Sequence, residues 1–320
     1  NVKQIDIDPI ERMPNRPSPW HLRDWNDTAH HFDKLAFDFD AQGEHLPLIW
    51  LDQDVPNPML QGPGFGMPSY VGGPNSQSQN CHEAIAGLGA VVGSSLADID
   101  KRQNGYDFVA MACQYFNGHN DENLILNMPS TESGLTYWYE VFPHMLFYML
   151  VDLYPRATRL PDIMQITADR WLDACRDMAD DDGTLDFDHT AFDFKTRKPV
   201  DNGKWIEPDA AGGIAWLLYS AHMRYPHAGY LDQAVRCMDY LDRRTVNPLY
   251  EIMLPFAVTL GARMNAELGK DYDVAKMLTW LFGPSDSRPG WGVITENWGG
   301  LDCHGLCGSI TDGGGYAFAM

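Results

Sequence analysis

The chain has 320 residues, 44% of them hydrophobic, and a formal net charge of -21 at pH 7. Phosphate binding needs a basic patch, and the 23 Lys and Arg residues form none, which argues against nucleic acid or an anionic membrane surface as a partner. A membrane span of ~20 apolar residues is also missing, because the most apolar stretch, Gly134 to Leu153, is interrupted by Glu140, Pro143, His144 and Asp152.

Pro, Gly and aromatic residues run along the whole length without a linker, so one catalytic domain over residues 1–320 is expected. An extended N-terminal region, residues 1–80, contains a first outer helix from Asp27 to Phe39. Apolar spacing near 3.6 and stop signals at Gly and Pro then predict helices in alternation over residues 81–320. Glu83 to Ile99, Gly134 to Leu153, Ala210 to Arg224, Leu249 to Leu268 and a closing stretch from Gly313 are apolar on most sides and read as enclosed. Tyr106 to Asn117, Pro161 to Ala179, Ala228 to Arg244 and Asp271 to Phe282 keep a charged face and read as outer helices.

Connections leaving the enclosed helices are short, whereas several that enter them are long: Gly118 to Ser133, Asp180 to Pro208 and Gly283 to Asp312. Long ordered loops in a compact protein usually carry function, so a single functional rim is expected. The fold class this implies is all-α, an (α/α)6 toroid. Five outer and five inner segments are present, so the toroid is expected to lack its last hairpin at Met320.

Three segments concentrate the chemistry. In the first, Tyr137, Trp138, Tyr139 and Glu140 stand at the start of an enclosed helix; a carboxyl among aromatic rings has its charged form disfavoured and suits a general acid. The second runs from Gly290 to Met320, where Trp291 and Trp298 lie among glycines and Glu296, Asp302, His304 and Asp312 supply polar groups. Asp312 precedes three glycines, more than a simple N-cap requires, which points to a catalytic carboxylate. In the third, Glu207 and Asp209 stand ahead of another enclosed helix beside Trp205, with Asp209 reading as the cap and Glu207 as a further catalytic candidate.

Cys113, Cys175 and Cys237 read as buried thiols within helices, and a disulfide between two of the loop cysteines Cys81, Cys303 and Cys307 is expected. Cys303, His304 and Cys307 lack a second Cys/His pair at zinc spacing, and the Asp-rich turn from Asp180 to Asp188 lacks the Glu of a calcium loop, so neither a metal nor another cofactor is expected. The acidic composition fits a secreted or periplasmic protein.

Through SGLTYWYEVFPHMLFY, NWGGLDCHGL and TDGGGYAFAM the chain resembles (α/α)6-barrel carbohydrate-active enzymes, and is similar to the endo-β-1,2-glucanases of glycoside hydrolase families 144 and 162. That resemblance implies an inverting glycoside hydrolase with Glu140 as acid and Asp312 as base. The substrate would be a neutral β-glucan or related oligosaccharide, held by Tyr137, Trp138, Tyr139, Trp205, Trp291, Trp298 and Tyr316 together with Asp209, Glu296, Asp302 and His304. The alternatives are a polysaccharide lyase or epimerase using Arg288, His304 and Tyr316, a hydratase or isomerase of a small apolar molecule using Cys303, Cys307 and His304, and a non-catalytic glycan-binding protein.

Overall fold

The structure is a computed structural model that describes residues 5–11, 13, 24–55, 60, 62–69, 83–102, 105–118, 120–128, 131–298, 300–310 and 317–318. These residues are mostly helical. In chain order the elements are α1 (Asp8–Glu11), α2 (Trp25–Ala36), β1 (Trp50–Asp52), β2 (Gly64–Gly66), α3 (Ala84–Leu96) and α4 (Phe108–Met111), which runs on into a 3-10 turn at Ala112–Tyr115. There follow α5 (Tyr137–Leu153), α6 (Leu160–Met178), β3 (Ala191–Asp193), β4 (Lys198–Val200), α7 (Ala210–Arg224), α8 (Ala228–Arg243), α9 (Met253–Leu268) and α10 (Val274–Leu281). The last elements are β5 (Trp291–Val293), β6 (Asn297–Trp298), β7 (Leu301–Asp302), β8 (Cys307–Ser309) and β9 (Ala317–Phe318). No helix among the described residues is long and apolar enough to cross a membrane.

Contacts divide the chain into two compact units, one of residues 21–133 with 139–171 and the other of residues 1–20, 134–138 and 172–320.

In the first of these, α3 buries Ala84, Leu88, Val91 and Val92. The buried Gln114 amide pairs with the backbone of Phe65 on β2, accepting from its N–H at 2.9 Å and donating to its carbonyl at 2.8 Å. Along α5, Val141, Met145, Phe147, Tyr148 and Val151 are buried. His144 is enclosed there: Ile125 N–H donates to Nε2 at 2.9 Å, which leaves Nδ1 to donate to the Glu140 carbonyl at 2.6 Å. Burial pulls the pKa of this imidazole down to about 3, so it is neutral at physiological pH.

In the second unit α7 is buried almost all round and packs on α8 and α9, with α9 also on α10. α8 keeps the amphipathic pattern that its charged residues predict: Tyr230, Ala234, Cys237, Met238 and Leu241 face inward, while Arg236 and Asp232 pair outside. Cys175 and Cys237 are both buried thiols, their sulfurs 3.9 Å apart.

The expected loops contain short antiparallel ladders. β3 pairs β4 between α6 and α7; β5, β8 and β9 form a three-stranded sheet after α10, and β6 pairs β7. The expected closing helix is corrected in part: Phe318 and Ala317 pair with Cys307 and Gly308 as β9. A start with three glycines forfeits about 1 kcal/mol of helix propensity at each, whereas the β8 edge offers hydrogen bonds directly. Residues 311–316, including Asp312, Gly313 and Tyr316, lie outside the described residues.

Close packing of α7 on α9 depends on Gly212, where an added Cβ would stand 2.5 Å from the Cβ of Ala257. Replacing Gly212 with Ala gains at most about 1 kcal/mol of helix propensity and incurs about 1–3 kcal/mol of overpacking. The Gly212→Ala protein should therefore be less stable in urea denaturation, and Ala257→Gly in the same chain should restore most of the loss.

Candidate functional site

A cluster of buried ionisable groups in the second unit forms where the turn before α7, the turn before α9 and the β5–β8 ladder meet. Its first member is Glu207, 1% exposed. The carboxylate accepts from Trp138 N–H at 2.7 Å through Oε2 and from the Thr136 hydroxyl through Oε1. Trp138 is in the first turn of α5, whose N–H groups have no partner within the helix, so Glu207 caps that helix from a distant part of the chain. Tyr137 N–H, next to it, donates to Thr190 O at 2.7 Å.

Asp209 stands at the N-cap position of α7, yet its side chain makes no capping bond. That corrects the sequence reading. The carboxylate turns instead to the start of α9, where Oδ2 accepts from Tyr250 N–H at 3.0 Å and Glu251 N–H at 3.3 Å. Oδ1, fully buried, has no hydrogen-bond partner among the described residues. Burial raises the carboxyl pKa to about 7, reinforced by the nearby Glu251 charge and opposed by the backbone N–H groups of Tyr250, Glu251 and Asp209 itself. Near neutral pH the group is held between acid and base.

Glu251, 6% exposed, takes Arg288 Nη1 at 2.7 Å, and Arg288 is itself 8% exposed. The guanidinium carbon lies 3.6 Å from the Trp291 ring centre, 4.9 Å from Trp205 and 5.0 Å from Tyr250. Such a stack lets the cation keep favourable contacts after losing water. Cys307 completes the cluster: its thiol pKa is pushed up to about 12 by burial and by the charges of Glu251 and Asp209, with Arg288 and Trp291 pulling the other way.

The structure thus brings together Trp205, Glu207, Asp209 and Trp291 from the sequence-predicted set. Trp205 is 45% exposed, whereas Trp291 is 2% exposed and one of its faces holds Arg288. A ring enclosed in this way seats the guanidinium and offers no open platform for a sugar. Tyr137 is buried, its hydroxyl 3.3 Å from Met178 Sδ, and Tyr139 is 37% exposed. Glu140, 2% exposed, belongs to the other compact unit, in the first turn of α5.

Glu296 is exposed, and Asp302 accepts from His304 Nδ1 at 2.6 Å in a surface pair that lowers the Asp302 pKa. Trp298 is on β6. Asp312 and Tyr316 lie outside the described residues. Cys303 and Cys307 are free thiols, so the expected loop disulfide does not join them, and Cys81 is outside the described residues.

Sequence reasoning had not placed Glu251 or Tyr250 in a site, and had weighed Arg288 only as a partner for a uronate. The missed signal is positional. An acid stands in the first turn or just before the start of each described enclosed helix, at Glu83, Glu140, Asp209 and Glu251.

No family model matches the chain, and no curated protein or solved structure matches it either.

The raised Asp209 pKa has a defined sign in stability. The folded chain holds this proton up to about pH 7, while the unfolded chain releases it near ~3.9. The stabilisation is therefore complete below ~3.9 and is lost as pH rises toward 7. The buried His144 acts in the opposite direction, its contribution disappearing as pH falls from ~6.5 toward 3. Asp209→Asn removes only the first effect, so its stability relative to the parent chain should climb between pH 4 and pH 8 in parallel urea titrations. A constant difference across that range would contradict the assignment.

Proposed function

We propose that the chain is a glycoside hydrolase that cleaves a neutral β-glucan or related oligosaccharide by carboxyl acid–base catalysis, on an (α/α)6-type toroid of paired helices. The observation that carries the reading is Asp209: a fully buried carboxyl with one oxygen unpartnered among the described residues and a pKa near 7. Acetal hydrolysis needs a carboxylic acid to protonate the leaving oxygen and a carboxylate to attack or to activate water. Asp209 has the proton affinity of the acid. Glu251, paired with Arg288 at 2.7 Å, sustains that affinity by its charge.

The resemblance to glycoside hydrolase families 144 and 162 supports the same class through different residues, with Glu140 as acid and Asp312 as base. Both assignments enter the test. Glu207 drops to a structural role in this reading, because both of its oxygens are occupied by the start of α5. The half-exposed Trp205 ring is the platform on which a pyranose would stack. Asp209 is fully buried, so a glycan reaches it only when the residues that cover it move aside. A secreted or periplasmic site of action suits a polysaccharide substrate.

A lyase or epimerase acting on uronates finds less support, since the charge of Arg288 is already matched by Glu251. A hydratase or isomerase of a small apolar molecule draws on one observation, the enclosed Cys307 thiol beside Asp209 and Glu251.

Reducing-end release from a panel of neutral and uronic glycans, with Asp209→Asn, Glu140→Gln and Asp312→Asn in parallel, tests the proposal. One neutral glucan should be cleaved, and loss of the acid should cut the rate by about 10²–10⁴ with circular dichroism unchanged. Silence on every neutral glycan, or an unsaturated product absorbing in the ultraviolet, would overturn it. Turnover of a small apolar alcohol that Cys307→Ser abolishes would replace it with the hydratase reading.

A further inference from the structure

A cavity of about 560 Å³ opens in the unit of residues 21–133 and 139–171, between the end of α2 and the turns that follow α3. It takes no part in the glycosidase proposal. Four carboxylates line it, Asp33, Asp38, Asp98 and Asp100, against the two lysines Lys34 and Lys101. Part of the lining is matched internally: Lys101 Nζ donates to Asp33 at 2.7 Å, and Arg102 binds Asp100 through two bonds of 2.9 and 2.8 Å. Asp38 and Asp98 make no ion pair among the described residues, and the lining carries an excess of negative charge.

The remaining wall is aromatic. Phe39 and Tyr106 stand 5.0 Å apart, and Tyr106 continues to Phe108 at 5.7 Å. The cavity already shows how such a surface treats a cation. The Lys101 ammonium is 3.2 Å from the centre of the Phe37 ring and 5.5 Å from that of Phe108, while Asp33 holds it from the side. Burial lowers the Lys101 pKa and Asp33 offsets part of that fall, as expected of an ammonium that trades water for rings and one carboxylate.

Three ligand chemistries fit less well. An anion is repelled by the lining and by the net charge of -21. A purely apolar ligand would strip water from Asp38 and Asp98 without pairing them. A neutral polyol would leave the excess charge unanswered. We propose that this cavity binds an organic cation, an ammonium group carried on an apolar or aromatic body, with Asp38 and Asp98 facing the charge and Phe39 and Tyr106 covering the body.

Isothermal titration of the intact chain with benzyltrimethylammonium tests the site, with benzyl alcohol and cellobiose as neutral comparisons. The double variant Asp38→Asn, Asp98→Asn removes the charge and keeps the shape. Asn tolerates the left-handed backbone of residue 98, φ 62°, and can accept the Asp40 N–H that Asp38 now takes at 2.9 Å. Binding of the cation should weaken at least tenfold in that variant and in Tyr106→Leu, and should fall with added salt. Failure of the cation to bind, equal binding of benzyl alcohol, preference for cellobiose, or full affinity in the folded double variant would each overturn the proposal.

Discussion

A buried carboxylate that accepts backbone N–H groups from the start of a different helix is the interaction on which the unit containing α7 to α10 depends. Glu207 does this for Trp138 at the start of α5, and Asp209 does it for Tyr250 and Glu251 ahead of α9. The first N–H groups of a helix have no internal partner, and leaving one buried without a bond costs about 1–3 kcal/mol. α7 is apolar nearly all round, so it can be enclosed only if the segments on either side approach closely and their polar ends are satisfied. Hydrogen bonds from N–H groups to a carboxylate contribute about 1.5–3 kcal/mol each.

That arrangement concentrates negative charge in an apolar interior, and Arg288 offsets it. A buried ion pair by itself is a weak source of stability, because desolvation consumes most of the Coulombic gain. Here the guanidinium is planar and lies against three aromatic rings, so much of its surface remains in favourable contact. Glu251 is thereby paired, and its charge adds to burial in making Asp209 hold its proton. The protonation state of one carboxyl thus follows from how another is paired.

The helices were legible because their apolar spacing is strong. Ala210 to Arg224 has the bounds read from sequence, and Ala228 to Arg244 differs by one residue. At two starts that differ, a long-range bond stands beside the boundary. The reading places the start of α9 at Leu249, whereas the helix begins at Met253, and the N–H groups of Tyr250 and Glu251 ahead of it turn to Asp209. α5 was read from Gly134 but begins at Tyr137, whose N–H belongs to Thr190. The hairpins were not legible, as ladders of two or three residues leave almost no period-2 signal. For the same reason Glu251 was missed: its partner Arg288 lies 37 residues away, with nothing in the local sequence to join them.

Carboxylates near the starts of enclosed helices look alike in sequence, and their surroundings separate their chemistry. Both oxygens of Glu207 are occupied by donors at the start of α5. Glu251 faces a guanidinium, which favours its charged form. Asp209 has two donors on one oxygen, none on the other among the described residues, and a neighbouring negative charge. Its charged and neutral forms are close in free energy near pH 7, the condition that suits a group for passing a proton in either direction. A residue type at a helix start therefore nominates a candidate, but its burial, its donors and the charges beside it decide whether that carboxyl caps a helix, pairs with a cation or holds a proton near pH 7.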